Sequence, residues 1–134
     1  MIGIVIVAHG PLANGYLTAM EHVVGAQPGI RAIAISADEN RTTQQAEVCA
    51  AMNAVDDGDG VVLVTDLFGS SPSNLCVNAC ASENRHVLYG ANLPMLVKLA
   101  KSRRKPIEIA VERAVTAGRK YLDCLSSGPH AAAQ

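Results

Sequence analysis

The chain has 134 residues, of which 49% are hydrophobic but only 3% aromatic, so it can build one aliphatic core of Val, Ile, Leu and Ala. Charged residues make up 17% and the mean hydropathy is +0.20, which excludes an intrinsically disordered chain. Eleven Lys and Arg against twelve Asp and Glu leave a formal net charge of −1, without the basic field of a general nucleic-acid binder; three Tyr and one Phe offer no stacking platform.

Residues 2–8 (IGIVIVA) are apolar throughout, the pattern of a strand covered on both faces. No Lys or Arg precedes them and no cleavage region follows, so they read as a strand of the mature protein and not as a signal peptide. Gly10-Pro11 ends this strand, and Pro11 opens a helix over Leu12–Val24, where its missing N–H costs nothing. A second strand, Ile30–Ile35, leads to a helix over residues 43–55, closed by the turn Asp56-Asp57-Gly58-Asp59-Gly60. Val61–Thr65 (VVLVT) is a third strand, again fully apolar up to its last residue. Ser71-Pro72 then supplies an N-cap and a proline at the first position of a helix over 72–81. Residues 86–89 (HVLY) form a fourth strand, and Asn92-Leu93-Pro94 starts another helix. The basic run Ser102-Arg103-Arg104-Lys105 reads as a solvated surface loop. Pro106 opens a long segment, 107–125, helical in its first part, with 121–125 compatible with helix or a short strand.

Strands alternating with crossover helices argue an α/β fold: a single doubly wound, mostly parallel sheet with helices on both faces. The expected strand order is 2-1-3-4, in a domain spanning residues 1–125, with 126–134 (SSGPHAAAQ) a flexible tail. No apolar run approaches the roughly 20 residues of a membrane-spanning helix, so no membrane insertion is expected. Cys49, Cys76, Cys80 and Cys124 fall in apolar helical patterns, and no second pair stands at zinc-site spacing beside Cys76 and Cys80. They read as reduced core thiols of a cytoplasmic protein, with no metal or cofactor implied.

In such a sheet, ligands bind outside the carboxyl ends of the strands where the strand order reverses. The first strand ends at His9-Gly10 and the third at Asp66, which become neighbours in the order 2-1-3-4. A carboxylate on one imidazole nitrogen fixes the tautomer and leaves the other nitrogen as acceptor or nucleophile. From position alone, two groups that merely cap a strand and a turn are an equal reading. Downstream, Gly69-Ser70-Ser71-Pro72-Ser73 places small residues and hydroxyls before a helix start, where N–H groups and the helix dipole favour an anion. The segment lacks a P-loop lysine and the G-x-G-x-x-G pattern, so a phosphate-sized anion facing His9 fits better than a nucleotide. His22 and His86 read as structural or solvated, and His130 lies in the tail.

Ala8-His9-Gly10, Asp66-Leu67-Phe68-Gly69-Ser70-Ser71-Pro72-Ser73-Asn74 and Gly90-Ala91-Asn92-Leu93-Pro94-Met95-Leu96 together resemble the mannose-family IIA domains of the bacterial phosphoenolpyruvate:sugar phosphotransferase system. The likeness extends over about residues 1–125. It implies that His9 is the phosphorylated histidine, taking a phosphoryl group from phospho-HPr and passing it to a IIB component. It implies that Asp66 holds the other ring nitrogen and that Ser71, with Gly10 and Ser70 beside it, helps bind the phosphoryl group. It further implies a homodimer, a last antiparallel edge strand, and no metal or organic cofactor. Two positions depart from the family pattern: Ser70 stands for its second glycine and Ser73 for a larger residue. Three other readings compete: a regulatory sensor that binds a target protein according to its phosphorylation state, the phosphocarrier subunit of a phosphotransferase-dependent dihydroxyacetone kinase, and a chelatase-like protein using His9 as a metal ligand.

Overall fold

Four parallel strands, β1 (Gly3–His9), β2 (Ile30–Ile35), β3 (Val61–Thr65) and β4 (Arg85–Tyr89), form one sheet in the order β2-β1-β3-β4. The computed structural model describes residues 1–36, 38, 40–67 and 84–126. The expected helix over 72–81, Ser70, Ser71, Ser73, Cys76, Cys80 and the tail from residue 127, His130 included, lie outside the described residues.

The central strands are apolar because both their faces are covered. Ile4, Ile6, Val62 and Val64 pack with Met20, Leu96, Leu99 and Ala110 on one face. Val5, Val7, Val61 and Leu63 pack with Val48, Met52 and Val55 on the other. Period-two alternation along each strand thus splits one sheet between two cores. Helices α1 (Leu12–Val24), α3 (Leu93–Lys101) and α4 (Ile107–Lys120) cover the first face, and α2 (Arg41–Val55) the second. Among the described residues no helix is long and apolar enough to cross a membrane.

Local chemistry accounts for the boundaries. Helix α2 starts at Arg41, two residues before the expected position, because Asn40 caps it by accepting hydrogen bonds from the N–H groups of Thr42 and Thr43 at 2.7 and 3.3 Å. Helix α3 starts as the Asn92-Leu93-Pro94 signal foretells, with the Asn92 side chain accepting from the Met95 N–H at 3.0 Å. The same amide donates to the Gly118 carbonyl near the end of α4 at 3.2 Å, so α3 and α4 run antiparallel.

Three expectations need correction. Residues 121–125 are neither helix nor strand: α4 stops at Lys120, and the following residues stand exposed and pair with no strand among the described residues. Cys124 is accordingly an exposed thiol past the helix end and not a core thiol, while Cys49 is half-buried and packs against the core of the second face. The third concerns Arg103, which is 3% exposed and not solvated. Its guanidinium donates to the carbonyls of Ile2 and Gly29 at 2.7 and 3.2 Å and to the Gln27 side chain at 3.2 Å, pinning the amino ends of β1 and β2. Gly29 has φ +73°, and a Cβ there would meet the guanidinium at 2.6 Å, so a glycine is what lets the arginine in.

Candidate active site

The register pairs Val7 with Thr65, so β1 and β3 run out of the sheet side by side and carry His9 and Asp66 just past their last common pair. The chain crosses from β1 through α1 to β2 on one side, while β3 lies on the other, which makes this the point where strand order reverses. His9 and Asp66 are therefore delivered to the sheet's carboxyl edge by topology.

Their geometry is specific. The His9 Nδ1 lies 2.8 Å from Asp66 Oδ2, and the His9 main-chain N–H donates to the same oxygen at 3.1 Å. Asp66 Oδ1 accepts from the Leu67 N–H at 2.9 Å. The aspartate side chain is 9% exposed and the histidine 50%, so the carboxylate is fixed in the floor while the imidazole faces solvent. With Nδ1 protonated toward Asp66, Nε2 is left with its lone pair; among the described residues it makes no hydrogen bond.

Burial would raise the Asp66 carboxyl, but the His9 ring, the His9 N–H, the His9 charge and the Leu67 N–H outweigh it and hold the carboxyl below its ordinary value. A depressed carboxylate stabilises the fold above its unfolded value and loses that contribution as pH falls through the folded one. Asp66→Asn should therefore be less stable than wild type near neutrality, with the gap closing as pH drops below about 4. Urea unfolding of both proteins across that range checks this; a gap independent of pH would contradict it.

Gly10 turns the chain from β1 into α1 at φ +53°, a conformation that favours glycine. Its N–H donates to the Ile35 carbonyl at 3.1 Å and is committed to the sheet. Helix α1 then starts at Leu12 beside His9 with no acidic residue in its first turn and, among the described residues, no side-chain cap, so its positive end faces this edge.

Sequence reasoning missed Tyr16. It lies on the inward face of α1, three residues from buried Ala13 and four from buried Met20, and its hydroxyl donates to the Ala91 carbonyl at 3.0 Å. The Ala91 N–H in turn donates to the Thr65 carbonyl at 3.1 Å, so the turn after β4 is tied to both α1 and β3 beside Asp66. Burial first, and then the Asp66 charge, push the Tyr16 phenol upward. The only signal in the sequence is an aromatic on the core stripe of α1, which says nothing of where its hydroxyl ends. His22 is exposed on α1 and His86 half-buried in β4, neither of them at this edge.

A family model for the PTS system fructose IIA component, EIIA-man, matches residues 3–115. The chain belongs to this IIA family. The mannose-specific EIIAB component of Escherichia coli strain K12 is 30% identical to this IIA chain over 131 residues, which are 96% of the chain and 41% of that relative. The chain thus spans about two fifths of the length of that relative. The phosphotransferase system component EIIA from Streptococcus agalactiae superposes with a TM-score of 0.83 at 25% identity, covering 96% of this chain and 100% of that one. The PTS IIA protein associated with the fucose utilization operon of Streptococcus pneumoniae gives 0.76 at 26% identity, over 86% and 89% of the two chains. The IIA family reading of the three motifs and the order 2-1-3-4 are both borne out.

Proposed function

We propose that this IIA protein is a phosphocarrier that accepts a phosphoryl group on His9 from phospho-HPr and passes it to a IIB component in the cytoplasm. The observation that carries the reading is the 2.8 Å hydrogen bond between His9 Nδ1 and Asp66 at the exposed carboxyl edge of the sheet. The Nε2 lone pair attacks phosphorus, and the bond from phosphorus to the donor breaks with its electron pair returning to the donor. His9 keeps its Nδ1 proton and becomes a phospho-imidazolium, whose charge Asp66 offsets. The reverse sequence hands the group on. Positioning and electrostatics are what phosphoryl transfer asks of a protein, and both reside in this pair.

Ser70 and Ser71, together with the amino end of α1 that the Gly10 turn sets beside His9, are assigned to the phosphoryl oxygens, the Gly10 N–H itself being held by Ile35. Ser71→Ala should slow uptake mildly. Incubation with enzyme I, HPr and phosphoenolpyruvate should add the mass of one phosphoryl group; no mass gain with active donors would overturn the function.

The assembly we assign is a homodimer. Tyr121, Leu122 and Leu125 are 68%, 83% and 77% exposed, and Leu122 lines a cavity with Val87, Leu88 and Tyr89 of β4, the strand at the margin of the sheet. Exposed apolar side chains beside an outer strand need covering, and a twofold copy supplies the cover. Sedimentation should give a dimer that Leu122→Asp with Leu125→Asp converts to monomer; a monomeric wild type at every concentration would remove the proposal.

A further inference from the structure

Of the eleven Lys and Arg in the chain, eight lie between residues 98 and 120, against two carboxylates there, Glu108 and Glu112. The remainder of the chain carries three cations and ten carboxylates. Arg103 is buried, but the other seven cations of the cluster are exposed. Four of these seven border a groove of about 510 Å³ between α3 and α4. Lys98, Lys101, Arg113 and Lys120 rim it, and its floor is formed by the half-buried Pro94, Val97 and Ala117. Among the described residues, none of the four rim cations makes an ion pair. Glu112 lines the same groove without neutralising any of them within bonding distance.

We infer that this groove is a docking site for an acidic amphipathic segment of a partner protein. Cations without a carboxylate partner around an apolar floor, Lys120 resting over the Tyr121 ring, call for a ligand with carboxylates at its edges and one or two apolar side chains pointing down. Helix α3 has nine residues, roughly 13 Å of axis, so the groove takes about two turns of a third helix. A recessed groove between two helices suits a protein segment better than a lipid surface, which meets flat or convex faces. A second copy docked here would make a head-to-tail contact, which builds rings or filaments and not the twofold dimer assigned above. One end of the groove, at Pro94 and Tyr121, opens toward the turn containing Ala91 and Asn92, so a bound segment would lie beside the carboxyl edge that carries His9. The site needs no phosphoryl transfer to exist, and its test is independent of that function.

The probe is a labelled synthetic helix with Leu at every third or fourth position and Glu between, titrated with the full chain and followed by fluorescence polarisation. Saturable binding is expected, weakening as salt rises. Lys98→Glu with Arg113→Glu should weaken it at least ~10-fold, and Arg104→Glu with Lys105→Glu, the same change in net charge outside the groove, less than about 3-fold. A scrambled peptide of the same composition should bind markedly less well. Equal losses in the two reversal variants would reduce the groove to a diffuse field and overturn the proposal, as would equal binding of the scrambled peptide. No peptide binding, with capture by phosphatidylglycerol vesicles instead, would replace the protein segment by a lipid surface. Lys98→Gln with Arg113→Gln, checked by circular dichroism, secures the result if the reversals disturb the fold; wild-type peptide binding in that folded variant would also count against the groove.

Discussion

His9→Ala is expected to abolish phosphoryl uptake while leaving a folded protein. The imidazole is 50% exposed, and its one hydrogen-bond partner among the described residues is Asp66, so removing it opens no cavity in either core. The main-chain N–H of residue 9 and that of Leu67 still hold the carboxylate, as they do now at 3.1 and 2.9 Å. What is lost is the nucleophile. His22→Ala, His86→Ala and His130→Ala should retain uptake, because none of these residues supplies the nitrogen held by Asp66. Asp66→Asn keeps the shape but removes the charge that offsets the phospho-imidazolium, so uptake should fall roughly 10- to 100-fold without vanishing. The label should be lost in acid and survive in base, as a phosphorus–nitrogen bond requires. Acid-labile phosphorylation retained in His9→Ala would overturn the assignment.

Much of this arrangement is legible before any coordinates. Fully apolar runs at Val5–Val7 and Val61–Val64 announce strands buried on both faces, and such strands belong to a parallel sheet with helices on either side. Once the order is 2-1-3-4, the residues after β1 and β3 share one edge, and these are His9 and Asp66. The groups that escaped are defined by distant partners. Tyr16 matters beside the site only because its hydroxyl reaches Ala91, 75 residues away, and no periodicity encodes that meeting. Residues 121–125 carry an apolar pattern fit for a strand, yet a strand exists only against another backbone, so composition could not decide them. The groove cations are visible as a charge run, but that they lack ion partners among the described residues is a property of how α3 and α4 pack.

Arg103 shows the same limit most sharply, and it carries the largest expected loss of stability. Three adjacent cations look like a solvated loop, since nothing in Ser102-Arg103-Arg104-Lys105 reveals that carbonyls from the starts of β1 and β2 converge on the middle of it. Burial lowers the guanidinium from its usual value, with the charge of Asp57 acting the other way, and arginine nevertheless stays protonated. The planar fork meets Ile2, Gln27 and Gly29 at once, while the Arg103 carbonyl accepts the Ile2 N–H at 2.9 Å. Arg103→Ala strips partners from the buried Ile2 carbonyl and the half-buried Gly29 carbonyl, and a net cost of roughly 3 kcal/mol is expected. Arg103→Lys keeps the charge but places it on a single ammonium that cannot span the fork, so its stability should fall between the two. Arg104→Ala, at an exposed side chain one residue on, should stay within about 0.5 kcal/mol of wild type. Urea unfolding should show these differences as shifts of midpoint at constant slope. Arg103→Ala indistinguishable from wild type would show that the pin does not hold the sheet. Because Arg103 sits at the amino ends of the strands and His9 at a carboxyl end, the fraction of Arg103→Ala that remains folded should take up phosphoryl groups at the wild-type rate.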